Sequence, residues 1–388
     1  MDTTPQLESA DAAVDRGPFF IGSEIYRDSS YGRGHPLAIP RVSVTMDLCR
    51  ALGWLDEARF IVSPMATADE IARFHDPEYV AALAEAERRQ SVTEDHKARF
   101  NIGVNGNPVY PEMFRRPATS AGAAMLAARL LAGGATVYSP AGGTHHGRRS
   151  GASGFCYFND PVLAILTLLD EGVGRVFYLD VDAHWGDGVQ AAFDGDDRVF
   201  TLSIHENGRW PMTRGGCPGS LEDRSESHLN LPVAGGFSDS DLDFLMDYLV
   251  VPLIDRFQPG AIVLQGGCDG LADDPMSKLM LSNRALWRVV ERMHERGAKL
   301  LVFGGGGYNP YAVARCWAGV WGVLAGEVLP EVLPNDARVV LQGLNWQHRQ
   351  GRDPQARWLT TLADPPGRES VSENLRALVA LALRAVRL

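Results

Sequence analysis

Short β-favouring apolar runs alternate along most of the chain with longer segments in which apolar residues recur every three or four positions. The first pattern predicts buried strands and the second predicts helices with one apolar face. Strands separated by helices in this way indicate an α/β fold with a parallel sheet covered on both faces. The predicted strands are 19–21, 135–139, 175–182, 198–205, 260–266 and 299–304, and the predicted helices are 41–52, 77–89, 120–131, 160–170, 239–255, 283–296, 311–325 and 372–388.

Three further segments complete the predicted organisation. Residues 1–15 are polar and acidic, which predicts a disordered arm, and residues 16–388 contain no repeat or linker, which predicts a single domain. Residues 100–118 carry Gly and Pro at frequent intervals and predict a long irregular loop of the kind that lines a site. Asp76 followed by Pro77 predicts the start of a helix.

Charge and cysteine content narrow the possible partners. Lys and Arg number 37 against 48 Asp and Glu, a net charge of −11 that argues against binding nucleic acid or anionic membrane. Basic peptides and polyamines stay open as substrates. No apolar run reaches the roughly 18 residues of a membrane span. The five cysteines form no C-x-x-C pair, which argues against a cysteine zinc cluster and indicates a cytoplasmic protein with reduced thiols.

Residues 178–188 hold the densest group of candidate chemical side chains, with Asp180, Asp182 and His184 at alternating positions. On an extended strand these three side chains would project from one face. Two carboxylates so close repel each other, so the arrangement calls for a cation. A metal site at the end of a strand is one interpretation. The other is that the aspartates cap a turn and His184 is a polar residue with its hydrogen bonds satisfied.

Other predicted strands also run into polar or glycine-rich segments. Residues 142–147 hold His145 and His146, residues 268–270 hold Asp269, and residues 304–308 end in Tyr308. In a parallel sheet all of these strand ends lie at one edge, which favours the metal interpretation.

Amide hydrolysis by metal-activated water requires a specific set of groups. Asp182, His184 and Asp269 could supply three ligands of a catalytic zinc, and this oxygen-rich set could also accept Fe²⁺, Co²⁺ or Mn²⁺. Two histidines could move protons while Tyr308 donates a hydrogen bond to the oxyanion. The residues predicted to act beside the metal are His145, His146 and Tyr308, with Asp180 and Asp187 bonding the imidazoles from behind.

Each of these side chains also has a purely structural interpretation. Adjacent histidines occur by chance, and Tyr308 could be a packing residue. Cys156 could be a nucleophile, but its position between Phe155 and Tyr157 favours buried packing.

At these motifs the sequence resembles the zinc-dependent histone deacetylase superfamily, most closely its bacterial acetoin-utilisation-type, class I-like members. The resemblance implies the arginase/deacetylase fold, a three-layer α/β/α sandwich with a mainly parallel eight-stranded sheet. The matching segments are 35–37, 75–79, 142–146, 153–160, 180–190, 203–205, 265–276 and 304–309.

The resemblance also implies a role for individual residues. It assigns zinc to Asp182, His184 and Asp269, and it makes His146 the general base with His145 as its electrostatic or acid partner. Tyr308 would polarise the scissile carbonyl. It further implies a potassium site at Asp180, Asp182, His184, Ser203 and Ile204. Phe155 and Trp210 would form the walls of an acyl-lysine tunnel, and the Gly154 carbonyl would accept a hydrogen bond from the substrate amide. Arg41 would lie beside an internal acetate-release channel.

Three positions depart from the family pattern. Gly106 stands where many relatives carry a rim aspartate that grips the substrate backbone, which favours a small acylated amine over a peptide. Trp185 replaces a histidine and is expected to reshape the inner cavity. Gly270 replaces a frequent hydroxyl residue beside Asp269 and is expected to loosen the support of that residue.

The sequence thus predicts a metal-dependent deacetylase acting on acetyl-lysine or a related acylated amine, with no nucleic-acid or membrane partner. An acetylpolyamine amidohydrolase is the nearest alternative. A non-catalytic sensor or scaffold that binds an acyl ligand is the alternative from another class. An arginase-like two-metal enzyme is disfavoured because Gly186 and Leu271 stand where bridging acids would be needed. The sequence leaves the oligomeric state open.

Overall fold

The computed structural model describes residues 17–211, 220–367 and 370–385. The arm predicted at residues 1–15 lies outside these residues, as does Val386 of the last predicted helix. The disordered arm and the single-domain organisation therefore stay predictions.

One sheet of eight strands forms the centre of the described chain, in the order β2-β1-β3-β8-β7-β4-β5-β6. Every neighbouring pair is parallel, which confirms the predicted parallel α/β sheet. The strands are β1 Phe19–Gly22, β2 Phe60–Val62, β3 Val137–Ser139, β4 Val176–Asp180, β5 Val199–Glu206, β6 His228–Val233, β7 Ala261–Gln265 and β8 Leu300–Phe303.

Helices connect and cover these strands. Among the described helices, none combines the length and apolarity needed to cross a bilayer. The helices are α1 Ile25–Asp28, α2 Val42–Ala51, α3 Ala68–Ile71, α4 Pro77–Arg89, α5 Glu94–Phe100, α6 Arg115–Ala132, α7 Asp160–Asp170, α8 Asp187–Phe193, α9 Asp239–Leu245, α10 Val251–Phe257, α11 Asn283–Glu295, α12 Pro310–Ala325, α13 Asn335–Gln342, α14 Ala356–Thr360 and α15 Glu373–Ala385, with a π-helical stretch Met246–Val250 between α9 and α10 and a 3₁₀ turn Arg349–Gly351.

Both faces of the sheet are buried, as the strand pattern requires. In β4, Phe177 and Leu179 join a core that includes residues of α2, α11 and α12, whereas Val176 and Tyr178 join a second core with α4, α6 and α7. Because successive strand side chains point to opposite faces, each face needs its own layer of helices. The predicted three-layer α/β/α sandwich is confirmed.

Capping residues explain why several helices begin where they do. Asp76 accepts a hydrogen bond from the Glu78 N–H at 2.9 Å, and Pro77 occupies the first turn of α4. This confirms the predicted helix start. Asn159 caps α7 and Asn309 caps α12 in the same way. Both caps follow loops that contribute to the candidate site, so they fix where those loops end.

The elements predicted from the hydrophobic pattern were wrong in three places. The edge strands β2 and β6 were missed, because β2 is only three residues long and β6 contains Pro232, a residue that sheets tolerate mainly in edge strands. Helix α6 begins at Arg115, within the predicted loop 100–118, because Pro117 is acceptable in a first helical turn.

Four neighbouring strands position the candidate site. β3, β8, β7 and β4 lie side by side, so the loops after their carboxyl ends meet at one edge of the sheet. These are the loops that carry His145 and His146, Tyr308, Asp269, and Asp182 with His184, in that order.

Candidate active site

The loop after β4 does not continue as the extended strand that was predicted. β4 ends at Asp180, whose Oδ1 accepts the N–H of Asp182 at 3.1 Å. Oδ1 of Asp182 accepts the N–H of His184 at 3.0 Å. Such local side-chain-to-backbone bonds compete with the strand ladder and turn the chain. The aspartates therefore cap a turn, and they also stay fully buried beside His184.

The three residues predicted to bind a metal come together. Suitable ligand atoms of Asp182, His184 and Asp269 all lie within 4.8 Å of one another, and all three residues are buried. His184 Nδ1 lies 2.8 Å from Asp269 Oδ2 and 3.2 Å from Asp182 Oδ1. Two buried carboxylates and one imidazole form a set that a single divalent cation would neutralise, so the residues fit the predicted zinc ion.

Backbone groups hold both carboxylates in place. The Gly306 N–H donates to Asp182 Oδ2 at 2.7 Å, and the Ala183 N–H donates to Asp269 Oδ1 at 2.9 Å. A Cβ at position 306 would overlap the Asp269 carboxylate. The glycine run after β8 therefore allows the backbone to approach the candidate ligands closely.

The two adjacent histidines each have an aspartate behind them. His145 Nδ1 lies 2.7 Å from Asp180 Oδ2, and His146 Nδ1 lies 2.7 Å from Asp187 Oδ1. Both imidazoles line an inner cavity of about 50 Å³ next to the metal-ligand cluster. With Nδ1 engaged by a carboxylate, Nε2 is the nitrogen left for chemistry.

The environment gives the two histidines opposite proton affinities. Burial lowers the pKa of His145, but the carboxylates of Asp180 and Asp182 outweigh it and raise the pKa to about 9. Burial and the neighbouring His145 cation lower the pKa of His146 to about 4. At neutral pH one imidazole is a cation and the other is a neutral proton acceptor. Such a division suits an acid and a base in one site.

Arg148 is a site residue that the sequence reasoning missed. Its guanidinium contacts Asp187 Oδ2, on the far side of the carboxylate from His146, and its side chain is 44% exposed. Its position two residues after His146 was a usable signal. Its partner could not be identified without the fold.

Asp160 was missed as well, and it shapes the loop that carries the histidines. Its Oδ1 accepts the N–H groups of Gly143 at 3.0 Å and Thr144 at 2.8 Å. These two bonds fix the backbone immediately before His145.

Tyr308 lies between the inner cavity and a larger outer one of about 840 Å³. Its N–H donates to Asp274 Oδ2 at 2.6 Å. Burial, followed by the charges of Asp269 and Asp182, raises the pKa of Tyr308 well above its usual value. The hydroxyl therefore stays protonated and can donate a hydrogen bond. Asp274 is a third residue that the sequence reasoning missed.

The predicted tunnel residues meet where the outer cavity narrows. The rings of Phe155 and Tyr308 are 6.3 Å apart, and the half-exposed Trp210 packs edge-on against His146 at 4.8 Å. Gly154 has φ +54°, and a Cβ there would lie 2.6 Å from both His146 and Trp210. A side chain at this position would close the passage between the cavities.

The remaining predicted residues occupy two different places. Arg41 lines the inner cavity and donates to the Gly305 carbonyl at 2.6 Å. Ser203 lies opposite Asp180 in the pairing of β4 with β5, and Ile204 follows it. Oxygen-rich surroundings suit a hard cation. Potassium bound by Asp180, Asp182, His184, Ser203 and Ile204 stays a prediction.

The structure shows the surroundings of two of the three positions that differ from the family pattern. The Trp185 indole N–H donates to Gln190 Oε1 at 2.9 Å, and the inner cavity is lined by other residues. The change of the inner cavity expected of Trp185 stays a prediction. At Gly106, φ is +81°, and a Cβ would lie 2.5 Å from Phe155 Cε1. The effect expected of Gly270 stays a prediction.

Residues 35–324 match the family described as "Histone deacetylase domain". The chain belongs to the histone deacetylase family. The match covers the candidate ligands, both histidines and Tyr308. The family assignment therefore includes every loop that builds the site.

Relatives in this family include plant proteins. The chain is 36% identical over 335 residues to histone deacetylase 1 of Oryza sativa subsp. japonica, a match that covers 84% of this chain and 63% of that protein. It is 36% identical over 311 residues to histone deacetylase 9 of Arabidopsis thaliana, covering 79% and 72%. The chain thus spans less than two thirds of the rice protein.

Solved structures share the whole fold. A histone deacetylase homologue from Aquifex aeolicus matches with a TM-score of 0.89 and 34% identity, covering 94% of this chain and 99% of that one. A histone deacetylase homologue complexed with SAHA matches with the same TM-score, 35% identity and the same coverage.

Proposed function

We propose that this protein hydrolyses the acyl amide of an acyl-lysine or a related acylated amine, using a divalent metal held by Asp182, His184 and Asp269. Zinc is the first candidate for that metal. The observation that carries the proposal is geometric: His145 and His146, each with an aspartate at Nδ1, line one cavity with the three candidate ligands.

Each residue has a task that follows from its surroundings. A metal ion bound there would activate a water molecule for attack on the acyl carbonyl. His146 accepts a proton from the water at Nε2, while the cationic His145 and the Tyr308 hydroxyl stabilise the negative charge that develops on the oxygen. The carbonyl carbon gains the water oxygen and loses the amine nitrogen. The products are a carboxylate and a protonated amine.

The acetylpolyamine alternative receives no support from charge at the cavity mouth. A polycation needs several carboxylates near the tunnel, and Glu206 is the one carboxylate among the described residues that line the outer cavity. A non-catalytic sensor would have no need for two buried histidines that are each oriented by an aspartate beside the candidate ligands. Acyl-amide hydrolysis is therefore the function that the geometry supports best.

Replacing Tyr308 by Phe tests this proposal, because it removes one hydroxyl and keeps the ring that lines the cavity. We expect kcat on acetyl-lysine substrates to fall on the order of 10²- to 10³-fold, as for loss of one oxyanion donor. Zinc content should be unchanged. The assay uses the zinc-loaded protein and a panel of an acetyl-lysine peptide, longer acyl-lysines, acetylputrescine and acetylspermidine.

Tyr248→Phe is the matched control, since Tyr248 is 58% exposed and does not line either cavity. Full activity in Tyr308→Phe would exclude the assigned role of the hydroxyl. Bound zinc with no turnover of any panel member would overturn the proposal and favour a sensor.

A further inference from the structure

The mouth of the outer cavity differs in charge from the molecule as a whole. The charged lysine, arginine and acidic side chains among its described lining residues are Glu206, Arg209 and Lys278. Arg209 Nε lies 2.5 Å from Glu206 Oε2, so these two charges offset each other. The described lining residues thus leave one positive charge at the mouth, although the chain carries a net charge of −11.

One carboxylate oxygen of Glu206 is engaged twice by the protein itself. Besides the Arg209 ion pair, its Oε2 accepts the backbone N–H of Lys278 at 2.8 Å, and its side chain is only 7% exposed. A substrate cation would have to compete with both of these groups. Glu206 is therefore a weak binding site for a substrate ammonium group.

Lys278 is the exposed cation among these three residues, and its charge also acts on Glu206. Its side chain is exposed, and within the described residues no carboxylate lies within 4.0 Å of its ammonium group. Its backbone is anchored through Glu206, so the side chain starts from a fixed point on the rim. An exposed cation at a cavity mouth attracts anions.

The rim around Gly106 cannot supply the opposite charge. A Cβ at that position would collide with Phe155, and the Gly106 carbonyl already lies 3.0 Å from His35 Nε2. The neighbouring lining residues Asn101 and Asn105 are neutral amides bonded to each other at 2.7 Å. Among the described lining residues, this side of the mouth therefore offers no carboxylate to a cationic or peptide-backbone donor.

We infer that the mouth selects a small acylated amino acid whose free α-carboxylate lies against Lys278 when its acylated side chain occupies the tunnel. This inference rests on the proposed function. In acyl-lysine the α-carbon lies at the tunnel entrance when the acyl group reaches the metal-ligand cluster. Lys278 lines the outer cavity, so we expect its ammonium group to be the cation that this α-carboxylate meets. A polyamine would place a second cation there instead.

A matched pair of substrates tests this inference. Nα-blocked Nε-acetyl-lysine with a free carboxylate is compared with its carboxamide, which differs by one charge, and acetylspermidine serves as the cationic substrate. At low ionic strength we expect kcat/KM for the acid to exceed that for the amide by about 5-fold, the size of one exposed ion pair. The ratio is expected to shrink as salt is added.

Lys278→Met should bring the acid-to-amide ratio of kcat/KM close to one. Lys278→Glu should make the carboxamide a better substrate than the acid and should raise kcat/KM for acetylspermidine. The backbone contact to Glu206 does not depend on the side chain, so both variants are expected to fold. Arg352→Met removes one exposed positive charge away from the cavity and should leave the ratio unchanged.

The outcomes separate the two proposals. Turnover of acid and amide at equal rates, or a preference that survives in Lys278→Met, would overturn the carboxylate inference and leave amide hydrolysis standing. Failure of the zinc-loaded protein to turn over any of the three substrates would overturn the proposed function itself.

Discussion

His145 and His146 are chain neighbours with ring centroids 4.0 Å apart, yet they differ in proton affinity. Burial lowers the pKa of both imidazoles. His145 faces two carboxylates, whereas the carboxylate behind His146 shares its charge with Arg148. Once His145 is a cation, a second charge so close to it is disfavoured. The charges behind the rings therefore decide which histidine can act as a base.

Arg148→Met tests this explanation. Without the guanidinium, Asp187 is less firmly oriented, and we expect kcat to fall roughly 10-fold with little change in KM. The uncompensated Asp187 charge should also raise the pKa of His146. Because the base must be neutral, the loss of activity at acidic pH would then begin at a higher pH. The measurement is a pH profile of kcat.

Arg148→Lys keeps the positive charge and should recover part of the activity, and Arg149→Met is the matched control. An unchanged pH profile in Arg148→Met would show that Arg148 does not act through His146.

Residue chemistry explains which site residues were predictable. Asp182, His184 and Asp269 could be selected from the sequence because few residue types bind metals, and these three lie at or just after the ends of predicted strands. Arg148 and Asp274 could not, because their partners depend on how distant loops meet.

At the scale of elements, the segment around α14 supports the loop after β7. Arg315 of α12 is fully buried and donates to the Thr361 carbonyl and to Asp364 Oδ1, both at 2.7 Å. Arg357 contacts both carboxylate oxygens of Asp273 at 2.6 Å. Asp273 precedes the residue that holds the Tyr308 backbone. The C-terminal part of the chain thus stabilises a wall of the site.

Arg315→Met would leave Asp364 with a weakened set of partners in a buried place. We expect the free energy of unfolding to fall on the order of 3 kcal/mol, as for breaking a buried ion pair. Urea unfolding measures it. Arg349→Met, at an exposed position, should change it little. Equal stability of the two variants would contradict a supporting role for Arg315.

Strands could be predicted from the sequence where all of their residues are buried and nearly all are apolar. Every residue of β4 and β7 is buried, and their apolar runs were recognised. In β2 the pattern is partly exposed, and in β6 polar residues alternate with apolar ones in a strand that is nevertheless mostly buried. Their pairing with neighbours, which a single sequence does not display, makes them strands.

At the scale of the molecule, His75 connects α4 with the loops of the site. Its Nδ1 lies 2.9 Å from the Arg148 carbonyl, and its Nε2 accepts the Asn159 N–H at 2.9 Å. Only a neutral imidazole can make both contacts. Burial lowers the pKa of His75 to about 4.

This pKa predicts how stability depends on pH. The unfolded chain binds a proton at His75 below pH of about 6.5, while the folded protein does not until about pH 4. Between these values the unfolded state binds more protons, so stability falls as pH falls. The loss is on the order of 3 kcal/mol.

Urea unfolding at pH 7 and pH 4.5 measures the effect. His75→Gln should show a smaller difference between the two pH values than the native protein, and His294→Gln, a partly exposed histidine of α11, should not. An equal difference in His75→Gln would mean that other groups cause the pH dependence.

The strand order also decides when the site first exists during synthesis. β8 is made last of the four strands that carry the site, and it inserts between β3 and β7. Until the ribosome has released β8, the loops after β3 and β7 have no strand to hold them side by side, and Tyr308 is missing. Non-local pairing of this kind is slow to form. Under the proposed function, metal uptake would therefore mark the completed sheet, and a nascent chain stalled before β8 would carry the histidines without a complete site.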